Sequence, residues 1–142
     1  MERRILKLIT CISLVMCLFL PIQALASETD EEPVVIIQPL FTYISSVSAD
    51  FDIVSGQASM YSVMYASSGV DQVRITSYLQ KYENGAWSNV TSWTKLADGT
   101  SCTLSKTYGV SSGTYRLRSY FYAYIDGTSV ESTNVTTASE SC

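Results

Sequence analysis

Histidine is absent from this 142-residue chain, and charged residues make up only 15% of it. Without imidazole there is no Ser–His or Cys–His nucleophile pair and no histidine-ligated zinc. Three prolines and seven glycines are too few for a collagen-like or low-complexity chain. No apolar stripe of period 3.6 persists anywhere, so amphipathic helices are not expected. A Gly-rich phosphate loop leading into a helix is also missing. What is present, 46% apolar residues, excludes a disordered chain and fits one globular domain able to bury a core.

The longest apolar run lies at the N-terminus. Arg3, Arg4 and Lys7 precede the apolar segment Leu8 to Leu20, Pro21 and Gln23 break it, and Ala24-Leu25-Ala26 follows as a small-x-small cleavage pattern. The run is shorter than the ~20 residues that span a bilayer. It reads as a secretory signal over residues 1–26. Leu14-Val15-Met16-Cys17 is a poor lipid-attachment pattern, because Met16 stands where a small residue is needed. No second apolar stretch follows, so the expected product is secreted, extracellular and without membrane insertion.

Removing residues 1–26 takes away three of the nine basic and one of the thirteen acidic residues, which leaves a net charge of −6. Four acids, Glu28, Asp30, Glu31 and Glu32, fall in the segment 27–40, an acidic leader whose β-branched run Val34 to Ile37 suits an edge strand before Pro39 interrupts it. The body is therefore nearly neutral. A nearly neutral body offers no footprint for nucleic acid or anionic lipid. Cys11 and Cys17 leave with the signal, and Cys102 and Cys142 remain. An exported protein permits a disulfide between them. The alternative, a buried Cys102 thiol with an incidental Cys142, is preferred because spacing alone does not set disulfide geometry.

The body, residues 41–137, reads as all-β, with residues 138–142 as a C-terminal tail. Period-2 alternation recurs between short turn signals. Val47, Ala49, Phe51 and Ile53 alternate with Ser46, Ser48, Asp50 and Asp52 in a first strand, Ile44 to Val54. The second, Ala58 to Ala66, has apolar residues on both faces. The third runs from Val73 to Tyr82, and Asn84-Gly85 favours a two-residue type I′ hairpin. That turn sets Tyr82 against Trp87, Leu79 against Val90, and Thr76 against Trp93. A fifth strand carries Cys102, Leu104 and Tyr108, and a sixth runs from Tyr115 to Ile125. Asp126-Gly127 turns into the last, Ser129 to Val135, where Val130 should meet Ala123. About seven strands of this length suit an immunoglobulin- or fibronectin-like two-sheet antiparallel sandwich. Gly113-Thr114-Tyr115 also looks like the start of a sixth strand whose tyrosine bonds back across a corner.

Segments Leu79-Gln80-Lys81, Asn84-Gly85-Ala86-Trp87, Trp93 and Gly113-Thr114-Tyr115-Arg116 resemble a group of small secreted proteins of Gram-positive anaerobic bacteria. In that group a signal peptide precedes one β-sandwich domain of unknown function. The resemblance covers residues 40 to 135 and implies export and fold; it supplies no site residues.

Candidate chemistry is sparse. Asp50 and Asp52 are the most tempting carboxylate pair for glycoside hydrolysis, but they alternate out of one strand and read as solvated. Asp71, Asp98 and Asp126 read as turn residues and lack the loop spacing of a calcium site. No catalytic residue, metal or cofactor is expected. The distinctive feature is aromatic. With Val73, Ile75, Leu79 and Val90 facing the core, Tyr78, Tyr82, Trp87 and Trp93 fall on the outer face. Arg116, Arg118, Tyr120, Tyr122 and Tyr124 do the same on the neighbouring sixth strand, beside Arg74. Three readings of this face stay open: cross-strand stabilisation, a surface for a protein partner or a second copy, and a platform for glycan. A β-bulge near Val90 would turn Trp93 inward instead.

Overall fold

A computed structural model describes residues 41–142; the expected signal peptide and the acidic leader lie outside the described residues. Eight strands follow in chain order: β1 (Ile44–Val54), β2 (Gln57–Ala66), β3 (Gln72–Glu83), β4 (Ala86–Asp98), β5 (Ser101–Gly109), β6 (Thr114–Ile125), β7 (Thr128–Thr136) and β8 (Glu140–Ser141). All pairings are antiparallel. One sheet has the order β1-β2-β5, and the other β4-β3-β6-β7, with β8 also pairing to β6. This is the expected immunoglobulin- or fibronectin-like sandwich. Its fourth strand lies beside the third, rather than joining the first sheet as it does in constant-type immunoglobulin domains.

Turn chemistry explains the hairpins. Ser55, Asn84 and Asp126 each have positive φ and each precedes a glycine that also does. Two successive left-handed residues match the twist of the flanking strands, and Asn-Gly and Asp-Gly reach that geometry at least cost. The corner before β6 is tied by its tyrosine, as the sequence suggests: Tyr115 Oη donates to the Ser111 carbonyl at 3.0 Å. Residues 138–142, expected as a tail, contribute β8 instead. Cys142 N donates to the Gly113 carbonyl at 2.9 Å, and Ser141 stands opposite Thr114.

The core has two apolar ends and a polar middle. At one end Met64, Val73, Ile75, Leu104, Phe121 and Ala123 pack together; at the other, Ala58, Met60, Leu79, Tyr115 and Leu117. Between them the buried hydroxyls of Ser62, Ser77 and Ser119 form a closed ring with O···O distances of 3.2, 2.9 and 2.7 Å. Each hydroxyl can donate once and accept once, so the ring satisfies three buried polar groups without water. The second strand, ambiguous in sequence, resolves with Ala58, Met60, Ser62 and Met64 inside and Tyr61 and Tyr65 outside.

Two bulges correct the expected register. In the β3–β4 pair, Gln80 meets Asn89 but Leu79 meets Thr91, which leaves Val90 as the extra residue. Val90 is therefore exposed rather than core, and Ser77, not Thr76, stands opposite Trp93. In the β6–β7 pair, Tyr124 meets Ser129 and Ala123 meets Glu131, so Val130 is skipped and does not face Ala123. One extra residue reverses the facing of everything after it, because side chains alternate with period two.

The second bulge gives Glu131 a structural task. Its carboxylate accepts the N–H groups of Thr42, Tyr43 and Ile44 at 2.9, 2.8 and 2.6 Å, which fixes the entry to β1. Partial burial pushes the Glu131 carboxyl up, but the three N–H bonds outweigh it and hold the group below its ordinary value of 4.5. A lowered folded pKa stabilises the fold above the ordinary value, and that contribution disappears as pH falls through the lowered one. Glu131→Gln should therefore lower stability at neutral pH and flatten the acid limb of a stability–pH profile below about pH 4.5. Urea unfolding at pH 7 and at pH 3 measures this; an unchanged acid limb would show that the carboxylate does not hold β1.

Candidate functional site

The outer face of the β4-β3-β6-β7 sheet gathers eight of the nine residues expected there. Alternation along β3 points Arg74, Tyr78, Gln80 and Tyr82 outward, and along β6 it does the same for Arg116, Arg118, Tyr120, Tyr122 and Tyr124. Pairing then places Arg74 opposite Tyr122, Tyr78 opposite Arg118 and Gln80 opposite Arg116. Trp87 arrives from β4 opposite Tyr82. Trp93 does not join them. The Val90 bulge turns it inward, where it packs against both core ends and meets Tyr108 edge-on, with ring centroids 6.0 Å apart.

Arginine and aromatic side chains stack across this face. The Arg116 guanidinium lies 4.1 Å from the Trp87 ring, Arg74 lies 4.3 Å from Tyr122 and 5.3 Å from Tyr124, and Arg118 lies 5.1 Å from Tyr120. Tyr78 meets Tyr120 edge-on at 5.8 Å, and Tyr82 and Trp87 are tilted at 5.2 Å. Guanidinium planes stack on rings and keep their in-plane N–H groups available for acceptors. Beneath them is a small amide relay. Arg116 Nε donates to Gln80 Oε1, and Gln80 Nε2 donates to Asn89 Oδ1, both at 2.9 Å. The hairpin register alone places Gln80 opposite Asn89, but amides carry no periodicity signal, and the sequence reading passed over them.

Among the described residues no carboxylate forms an ion pair with these arginines. The one ion pair among the described residues joins Lys81 to Glu83 at 2.9 Å, at the end of β3. The Nε atoms of Arg74 and Arg118 are buried and make no hydrogen bond within the described residues. Such donors are uncommon in folded proteins, and each costs about 1–3 kcal/mol. A groove of about 320 Å³ opens among Tyr78, Gln80, Asn89, Arg118, Tyr120 and Tyr122, where the bulge breaks the regular spacing of β4.

The remaining candidates are dispersed. Cys102 and Cys142 are free thiols, so the possible disulfide is not formed. Cys102 sits at the start of β5, while Cys142 Sγ lies by the Val110 carbonyl just past its end. At about 3.3 Å per residue the strand holds them far beyond the ~7 Å Cα limit for a bridge. Burial pushes the Cys102 thiol up, against a smaller opposing pull from Lys95. Asp71, Asp98 and Asp126 meet at one end of the larger sheet, but two carboxylates are already engaged. Asp71 Oδ2 accepts the Asp126 N–H, and Asp98 Oδ1 accepts Gln72 Nε2. Among the described residues no three Asp, Glu or Cys side chains are grouped to hold a metal ion.

No family model matches the chain, and no curated protein is similar to it. Among solved structures the chain is similar to a protein from Archaeoglobus fulgidus. The identity is 12%, with 70% of this chain and 97% of the other covered, at a TM-score of 0.30. A superposition that loose carries no argument about fold or function.

Proposed function

We propose that this protein is a secreted, non-catalytic interaction module that binds a protein partner or another copy of itself through the outer face of the five-stranded sheet. The observation that carries the reading is the set of three arginines whose guanidinium groups lie over the rings of Tyr122, Trp87 and Tyr120, with no ion-pair partner among the described residues. Internal stabilisation accounts for the rings, since aromatic cross-strand pairs contribute about 0.2–1 kcal/mol each. It accounts poorly for three like charges on one face. Tyr, Trp and Arg are the side chains that anchor protein interfaces, because they bury large area and retain hydrogen-bonding edges. The absence of histidine from the chain, and of a convergent acid–base pair among the described residues, supports the non-catalytic part of the reading.

A second reading, glycan binding on the same face, is favoured by the groove beside Tyr78 and Arg118. Its volume falls at the small end of ligand pockets, and its amides and phenols suit sugar hydroxyls. Sedimentation velocity under reducing conditions and electrophoresis through neutral and acidic polysaccharides separate the two. Mass rising with concentration supports the interaction module. Retardation by a polysaccharide that Trp87→Ala abolishes supports the glycan reading. A strict monomer that no polysaccharide retards, and that Arg116→Gln leaves unchanged in every assay, would argue for a purely structural face.

A further inference from the structure

The opposite side of the sandwich carries the complementary pattern. On the outer face of the β1-β2-β5 sheet, Asp50 and Asp52 project from β1, both exposed. Neither takes part in an ion pair among the described residues. Tyr61, opposite Asp50 on β2, is 42% exposed, and Tyr65 is 52% exposed. On the far side of the molecule, Arg116 and Arg118 project from β6 with the same two-residue spacing. Positions two apart on a strand are about 6.8 Å apart on one face. A carboxylate pair and a guanidinium pair of equal spacing thus stand on the two opposite faces, neither in an ion pair among the described residues.

We propose that the arginine–aromatic face of one molecule docks on the aspartate face of a second copy, with Asp50 and Asp52 meeting Arg116 and Arg118. The proposal rests on the reading of that face as an interaction surface and names its partner. Two β-sheet faces can pack nearly aligned at about 10 Å, which allows both charge pairs to be satisfied together. Tyr61 and Tyr65 then supply apolar area against the ring-covered face, while the paired charges set the register along the strands. The two docking faces differ and lie on opposite sides of the sandwich, so the contact is heterologous and molecules add head to tail rather than pairing as a closed dimer. The three-stranded face spans about 30 by 14 Å by strand geometry, a small footprint. Association is therefore weak and disappears at high salt.

A charge-swap experiment on the full chain tests this. One variant carries Asp50→Lys and Asp52→Lys, and the other Arg116→Glu and Arg118→Glu; circular dichroism melts confirm that each folds. Sedimentation velocity is run with reductant, so that the exposed Cys142 thiol cannot cross-link copies. The wild type is expected to gain mass steadily with concentration, without a plateau at dimer, and to lose this at 1 M salt, where the Debye length is about 3 Å. Each variant alone should associate at least tenfold more weakly, and a one-to-one mixture should regain association. If the glutamate variant does not fold, Arg116→Gln with Arg118→Gln replaces it, with loss of association as the expected result. A strict wild-type monomer overturns the self-docking, and so does association that survives the Asp50/Asp52 change. In the latter case, if the arginine variant has lost association, the arginine face remains an interaction surface and only the named partner is wrong. Association that survives the arginine change overturns both.

Discussion

Trp93→Ala should cost about 2–4 kcal/mol of unfolding free energy, and Trp87→Ala about 1 kcal/mol. Large-to-small changes at buried aromatics cost about 3–5 kcal/mol, and Trp93 is only half-buried, so the lower part of that range applies. It nevertheless packs against both ends of the core and against Tyr108, at the edge where β4 faces β5. Removing it opens the gap between the sheets. Trp87 touches Tyr82 and the Arg116 guanidinium on the outer face. A cross-strand aromatic pair and an exposed cation–π contact together supply about 1 kcal/mol. Urea unfolding followed by circular dichroism gives both values. Equal costs would mean that Trp93 faces outward and that the bulge at Val90 is absent.

Phe121→Ala should be more damaging, at about 3–5 kcal/mol. Phe121 is fully buried at the centre of β6, opposite Ile75, in the larger apolar cluster. Its neighbour two positions back is Ser119, held in the hydroxyl ring with Ser62 and Ser77. That ring cannot move into the space left by the phenyl group without breaking its own bonds, so the cavity persists. For a domain of about 100 residues, each kcal/mol shifts Tm by about 4–8 °C. A fall of roughly 12–40 °C follows by that scaling, which leaves the variant marginal at 37 °C. Phe121→Leu keeps most of the volume and should cost no more than about 1.5 kcal/mol. A loss below about 1 kcal/mol for Phe121→Ala would show that the two sheets close around the defect.

The fold was legible because its turns are written in residues with few other uses. Asn84-Gly85 and Asp126-Gly127 take the left-handed pair that a short hairpin needs, and alternation along Ile44–Val54 and Thr114–Ile125 matches the inside and outside of real strands. Tyr115 was recognisable from its place after a glycine at a strand start. The bulges were not legible in the same way. A bulge near Val90 that turns Trp93 inward was one of the open readings, and the register bears it out. Nothing distinguishes Val130 from an ordinary strand valine, and a β-branched residue at an exposed bulge looks like core. Each bulge reverses one stretch of strand: the first turns Trp93 inward, and the second brings Glu131 beneath the N–H groups of Thr42, Tyr43 and Ile44.

The candidate face was half legible. Period two is enough to put Tyr78, Tyr82, Tyr120, Tyr122 and Tyr124 with Arg116 and Arg118 on one side, once β3 and β6 are neighbours. Their stacking depends on which residue stands opposite which, and that came only with the register: Arg74 against Tyr122, Gln80 against Arg116. The role of Asp50 and Asp52 was hidden for a different reason. Read singly they are solvated residues, and they acquire meaning only beside a matching pair on the opposite face of the fold.

The two tryptophans make the most direct test of the central claim, that the arginine–aromatic sheet face is the binding surface. Each contributes one indole N–H signal to a nitrogen–proton correlation spectrum, and the signals are assigned with Trp87→Phe and Trp93→Phe. As protein concentration is raised at low salt, the Trp87 signal should shift or broaden, because its ring lies under Arg116 at the docking face. Trp93, half-buried at the inner edge of β4 away from that face, should stay still. Movement of Trp93 with a silent Trp87, or two silent signals while the molecule gains mass, would place the contact elsewhere and contradict the account.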